Sequence, residues 1–386
     1  VAEPRRAGPL VYSIAAHRGF ADALVAGLVP RYREPGFGLA RLTLLVPSSR
    51  AARTLSEAFI RHAGATGEGG LLMPRMITVG DLDLDEKLGA ALDPLGADDI
   101  PPACDPTRRW LTLDRLIAEE RAGEGMDPLP GRARLRLARE MARTIDRLLV
   151  EEKAPEDLLA PAVLDQLGNL AHHWQHSIRL FARVNLRWQA DLAERGEVDA
   201  ATRRNLLFDR AARRWKETPP PHPIVAAGVT SAAPALARLL RVIADLPDGA
   251  VILPDLDLAM SDEAWAEVGR AGAAEEPGGA VFGADDALAH PQYHLKLLLN
   301  RMGVNRAEVQ QWHRRGIAAA PPARSRAISA LFLPPQASRS WVELGPDHRR
   351  LSGVRLMTSS SIEVEAQAIA LLVREALEQP EKRIAV

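Results

Sequence analysis

The chain has 386 residues, 47% apolar and 26% charged, which allows two or three domains around sizeable cores and excludes a disordered chain. The formal net charge is −1, so any attraction to nucleic acid must come from local patches. A single cysteine, Cys104, excludes an internal disulfide framework and four-Cys zinc or iron–sulfur sites within this segment. No apolar run reaches membrane-spanning length and no signal-peptide core opens the chain, so a cytoplasmic location is expected.

Residues Leu10 to Ile14 read as a short buried strand, and Gly19 to Val29 as a helix. The turn between them is Ala15-Ala16-His17-Arg18. A phosphate-binding P-loop would need glycines there, so that backbone N–H groups could cradle phosphate, and a Lys followed by Ser or Thr. None is present. A second strand, Leu42–Val46, leads into a helix that places Ala52, Leu55 and Phe59 on one face and takes Ser48 or Ser49 as its cap. A third strand is expected at Met76–Val79.

From Asp105 the pattern changes. Asp105-Pro106 is a strong helix start, and helices are expected over Thr107–Glu120, Ala133–Val150, Pro155–Leu167, Leu170–Glu194 and Ala200–Trp215. Strands resume at Ile224–Ala227 and Ala250–Leu253, with a helix near Ala233 capped by Ser231. His290-Pro291 opens another helix, closed by Gly303. Ser360 and Glu363 fit a capping box between two further strands, Val354–Met357 and Arg383–Val386. Most of the strands are continuous apolar runs, as expected where helices cover both faces of a parallel sheet. The fold expected is α/β: a parallel-sheet domain (1–104 and 217–345) split by an all-helical insertion (105–216) and followed by the start of a second α/β domain (346–386). The strand at the end of the chain suggests the N-terminal part of a longer protein.

Several residue sets could carry chemistry. In an NTPase of this layout the strand after the insertion would end in Asp-Glu, to hold magnesium and position water. Here those positions are Ala226, Ala227 and Gly228, so both halves of a nucleotide site are missing together. Asp255 and Asp257 follow a strand, where magnesium ligands could sit, but such acids more often cap helices and line loops. The acids from Asp81 to Glu86 are a weaker case of the same kind. Arg136, Arg139, Arg143 and Arg147 recur at helical spacing and could follow a phosphate backbone; the alternative is a solvated face paired with Glu140, Asp146 and Glu151. His172 and His173 diverge on a helix, and Pro291 places His290 outside the helix of His294, so no metal site is expected. Cys104 reads as a plain thiol. There is no GxSxG elbow, and Glu151-Glu152-Lys153 lacks the strand context of a nuclease cluster.

In order along the chain, the stretches 42–53, 73–81, 226–230, 290–293 and 360–366 (LTLLVPSSRAAR, MPRMITVGD, AAGVT, HPQY and SSIEVEA) resemble the AddB family, subunits of AddAB helicase–nucleases, in its alphaproteobacterial form. The resemblance implies a superfamily 1 helicase layout with RecA-like domains. It places Ser48, Ser49 and Arg50, with Arg53 nearby, and Thr78 in motifs that touch single-stranded DNA. Thr230 falls just beyond the degenerate acidic motif and Glu365 in an acidic motif of the second domain. The implied role is handling broken DNA ends for recombination. The implied partners are single- and double-stranded DNA ends and AddA, the ATP-driven motor. The family's four-Cys iron–sulfur cluster belongs to a C-terminal nuclease domain not contained here, so no cofactor is expected in these residues. Other members of the wider family keep a phosphate-binding loop, which this chain lacks.

Three functions follow. The first is a noncatalytic, helicase-like segment that handles single strands and docks the motor subunit. The second is a divergent ATPase or helicase using His17 and Arg18 on phosphate and Asp255 or Asp257 on magnesium. The third is a scaffold without DNA contact.

Overall fold

The short apolar runs become strands because each can bury both faces. In the computed structural model, which describes residues 8–16, 19–67, 70–80, 99–154, 157, 172–274, 276–312, 327, 329–335, 337–348, 355–380, 382 and 384–386, the strands are β1 (Val11–Ile14), β2 (Thr43–Val46), β3 (Arg75–Thr78), β4 (Ile224–Ala227), β5 (Gly249–Pro254) and β6 (Gln310–Gln311). They form one sheet in the order β3-β2-β4-β5-β1-β6, with every pairing parallel. The architecture is α/β and consistent with a RecA-like domain.

Successive strand residues serve opposite layers, as the pleat requires. On one face Leu44, Val46, Val225 and Ile252 pack with Leu24 and Leu28 of α1 (Phe20–Tyr32) and Leu55 and Phe59 of α2 (Ser49–Ala65). On the other face Leu45, Ala226, Val251 and Leu253 meet a second set of helices. Between β3 and β4 lie α3 (Pro106–Gly123), α4 (Gly131–Val150), α5 (His172–Arg195) and α6 (Ala200–Glu217). Beyond β4 come α7 (Pro234–Asp245), α8 (Asp262–Glu267), α9 (Tyr293–Met302), α10 (Ser340–Glu343) and α11 (Ile362–Ala376). Phe208 and Trp215 of α6, Leu236 and Leu240 of α7 and Leu298 of α9 cover that second face.

The helical insertion has a core of its own, in which Leu113, Ile117, Ala138, Ile145, Val184 and Trp188 pack together. Its polar centre is Arg109, 2.8 Å from Asp146 and 3.0 Å from Asp199. Trp188 Nε1 donates to Asp199 Oδ1 at 3.1 Å. Burial pushes the Asp199 carboxyl up, against the opposing pull of the Arg109 guanidinium. Asp199 precedes α6, yet its carboxylate does not cap that helix; it faces the insertion instead.

Local signals held at several ends. Asp105 Oδ1 accepts from Arg108 N at 2.8 Å, with Pro106 opening α3. Gly303 closes α9 at φ +64°, in the left-handed region that glycine enters without strain. Other ends shifted. Ser361, not Ser360, caps α11, accepting from Val364 N. Ala233 occupies the cap position of α7, since Pro234 needs no N–H partner there; Ser231 does not cap that helix. Helix α9 begins at Tyr293, three residues past His290.

The expected helix at Pro155–Leu167 lies outside the described residues except for Asp157. Residues 355–357 and 384–386 are irregular, so the strands expected at Val354–Met357 and Arg383–Val386 are not formed there; Val354 and Arg383 themselves lie outside the described residues. A strand needs a ladder partner for its N–H and C=O groups. Among the described residues none lies beside these segments. Helix α11 is correspondingly uncovered: Ile362 is 80% and Leu371 71% exposed. No helix among the described residues is long and apolar enough to cross a membrane.

Candidate functional site

Because all strands are parallel, their carboxyl ends share one edge. Ile14, Val46, Thr78, Ala227 and Pro254 end their strands there, the edge at which open α/β sheets bind ligands.

The β1–α1 turn is held by the protein's own groups. Ala15 and Ala16 are described; His17 and Arg18 lie outside the described residues. Ala16 N–H donates to Asp255 Oδ1 at 3.1 Å, and Asp255 N–H returns a bond to Ile14 O at 2.7 Å. Asp255 adopts φ +60°, a left-handed conformation that costs a non-glycine residue about 1–2 kcal/mol. Burial raises the pKa of its carboxyl, with the Ala16 N–H opposing and Asp257 adding to the rise. The Ala16 N–H is therefore taken by a carboxylate of the chain itself.

The α1 N-terminus is filled as well. Asp22 sits in the first turn and pairs with Arg61 Nη2 at 2.5 Å. Helix N-termini favour anions, and here the anion is supplied from within. Phe20, the first residue of α1, lies over the end of β4. A Cβ added to Gly228 would stand 3.3 Å from Phe20 Cε1 and 3.8 Å from Pro47 Cδ. Gly228 has φ +73°, and its N–H donates to Ile252 O at 2.9 Å. Ala226 and Ala227 are buried in opposite layers of the core. Where an NTPase would set acids around magnesium, this chain packs a phenyl ring against a glycine.

Asp257 shapes its loop. Its Oδ1 accepts from Ala259 N at 2.9 Å and Met260 N at 3.2 Å. Gln292 ties the same loop from the side, donating to Asp255 O at 2.8 Å and accepting from Asp257 N at 2.9 Å. His290 Nδ1 accepts from Gln292 N at 3.1 Å, so HPQY serves as a brace for the β5 exit loop. Among the described residues, no group of three or more His, Cys, Asp or Glu side chains could hold a metal ion. Cys104 is buried, and its thiol is pushed up to about 11, first by burial and then by Asp199.

The residues expected to meet single strands sit beside this closed turn. Ser48 Oγ accepts from Ala51 N at 3.3 Å and so caps α2. Ser49 and Arg50 form the first turn of that helix and Arg53 follows; these three are exposed. Thr78 lies opposite Val46 in the ladder, so the ends of β2 and β3 run together. Gly80 makes that approach possible: a Cβ there would come within 2.2 Å of Pro47 O. The arrangement gathers Ser48, Ser49, Arg50 and Thr78 at one edge. Among the described residues neither Arg50 nor Arg53 has an ion-pair partner. Thr230 is exposed two residues past Gly228, and Glu365 is exposed on α11.

The arginine stripe belongs to the insertion, on a helix that packs on α3 and α6. Arg136, Arg139, Arg143 and Arg147 are all exposed. Of the three acids expected as their partners, the ion pairs show one on the stripe. Glu140 pairs with Arg143 at 2.8 Å, but Asp146 turns to Arg109 and Glu151 to Arg301, each at 2.8 Å. Arg139 stacks over Trp110, 4.7 Å from the ring centroid. Arg136 and Arg147 have no ion-pair partner among the described residues.

Sequence patterns miss Phe20, Asp22 and Gln292 as parts of this site, because each acts across the fold. No protein-family model matches the chain, and no curated protein matches it.

Proposed function

We propose that this chain is the helicase-like, noncatalytic portion of a helicase–nuclease subunit of the AddB kind, which handles single-stranded DNA at processed ends and docks an AddA-type motor. The observation that carries the reading is the contrast at one sheet edge. The turn expected to bind nucleotide is filled by Phe20, Asp22 and Asp255, while the neighbouring start of α2, capped by the half-buried Ser48, leaves Ser49, Arg50 and Arg53 exposed. A fold of this layout without a nucleotide cradle can still position a strand. Backbone phosphates would meet the α2 N-terminus and its arginines, and bases would lie toward Thr78. Arg136, Arg139 and Arg147 extend the set of cations available to a longer strand.

The test is fluorescence anisotropy of a labelled oligothymidine against salt. The expected result is weak binding that falls with salt, with a slope shallower by about 0.7 for each phosphate contact removed in Arg50→Ala and Arg53→Ala. Unchanged affinity and slope in the double variant would remove this path. Absence of binding at low salt would favour a scaffold without DNA contact.

A further inference from the structure

Helix α4 of the insertion carries its charges against its own stability. It starts with no acidic residue in its first turn and no side-chain cap, and Arg132 stands there at the positive end of the helix dipole. Arg136, Arg139, Arg143 and Arg147 follow Arg132 at steps of three and four residues, and all five are exposed. At about 100° and 1.5 Å per residue they share an arc of about 80° and run about 22 Å along the axis. Arg132/Arg136, Arg139/Arg143 and Arg143/Arg147 place like charges four residues apart, which weakens a helix. Glu140 answers them from an exposed pair with Arg143, which neutralises little. Among the described residues Arg132, Arg136 and Arg147 have no ion-pair partner. Arg134, on the opposite side of the helix, is instead paired with Asp114 of α3 at 2.9 Å.

The rest of this face decides what would cover it. Besides the arginines, the exposed residues of α4 are Gly131, Ala133, Glu140 and Thr144. None is a large apolar side chain of the kind that anchors a protein partner, and none is an aromatic on which an unpaired base could stack. The Trp110 ring of α3 is covered by Arg139 itself. A duplex needs neither kind of residue: its bases are stacked inside, and its two strands present about one charge per 1.7 Å of axis to cations alone. We propose that the arginine row of α4 holds the phosphate backbone of double-stranded DNA, so that a strand reaching the insertion is still paired with its complement. The proposal rests on the DNA-handling reading above. It assigns the paired part of a DNA end to α4 and the unpaired part to the start of α2.

Fluorescence anisotropy of the whole chain with labelled blunt DNA hairpin, oligothymidine and polyglutamate tests it. One variant combines Arg132→Gln, Arg136→Gln and Arg147→Gln; Arg139 is kept because it packs on Trp110. The parent should bind the hairpin with an affinity that falls with salt. The variant should lose about 10-fold or more, with a salt slope shallower by about 0.9 for each phosphate contact removed. It should bind oligothymidine as the parent does and melt at or above the parent temperature, since like charges are relieved. Polyglutamate should bind the parent more weakly than the hairpin does. Arg50→Ala with Arg53→Ala should weaken oligothymidine binding and leave the hairpin unchanged, so either assignment can fail alone. Absence of hairpin binding by the parent at low salt, unchanged hairpin affinity and slope in the α4 variant, or equal losses for hairpin and oligothymidine would each overturn the proposal. Polyglutamate bound as tightly as the hairpin would overturn it in favour of an acidic protein partner.

Discussion

At the scale of single residues, the closed turn depends on side chains whose importance appears only in three dimensions. Ala15 and Ala16 announce in sequence that a cradle is missing. That Asp255 takes over the Ala16 N–H does not show, because 239 positions separate the two. Phe20 reads only as an apolar residue at a helix start until Gly228 is seen beneath it. Gly80 offers a sharper case. With a Cβ 2.2 Å from Pro47 O, a backbone atom, Gly80→Ala must push the ends of β2 and β3 apart. The expected cost is about 1–3 kcal/mol by urea denaturation, the range for overpacking. The same variant should weaken single-strand binding, because Thr78 and Ser48 separate. Cys104 gives a pH prediction with a definite sign. Its folded pKa, about 11, lies above the ordinary thiol value of 9.0, so its contribution to stability is complete below pH 9 and fades as pH rises toward 11. Denaturation midpoints measured across that window should fall more for the parent than for Cys104→Ala.

At the scale of elements, sequence patterns reveal what has strong local periodicity and miss what depends on a neighbour. The runs at β1, β2, β4 and β5 are continuous and apolar because both faces are covered, and they stand out for that reason. Strand β6 is two glutamines, Gln310–Gln311, at the sheet edge; nothing in such a pair signals a strand. Arg383–Val386 shows the opposite error, a β-rich run without a ladder partner among the described residues. The insertion was legible as helices, but its polar centre was not, since Arg109 and Asp199 come from different elements. Arg109→Met leaves Asp199 buried without its cation and should cost about 3–5 kcal/mol in thermal or chemical denaturation. Helix α11 predicts the reverse. Leu371 and Leu372 are 71% and 52% exposed, so Leu371→Gln with Leu372→Gln should stay within about 0.5 kcal/mol of the parent. A large loss would mean that α11 is packed in solution.

For the whole molecule, the layout and the filled turn support the proposed account. A parallel sheet carries helices between β3 and β4, and in the proposed reading Phe20, Asp22 and Asp255 close the strand-end edge to a nucleotide. The near-neutral net charge excludes a globally basic nucleic-acid binder, which leaves the local edge of Arg50 and Arg53 as the place where a strand would be held. Absence of a P-loop was visible in the letters; occupation of its place by other side chains was not, and it is the stronger statement. It predicts that restoring single residues, such as Gly228→Asp, will not restore nucleotide binding, because the Phe20 ring already fills the space. The most direct measurement is a calorimetric titration of Mg-ATP into the chain. The account predicts no saturable heat at millimolar nucleotide. One-to-one binding at micromolar affinity would contradict it.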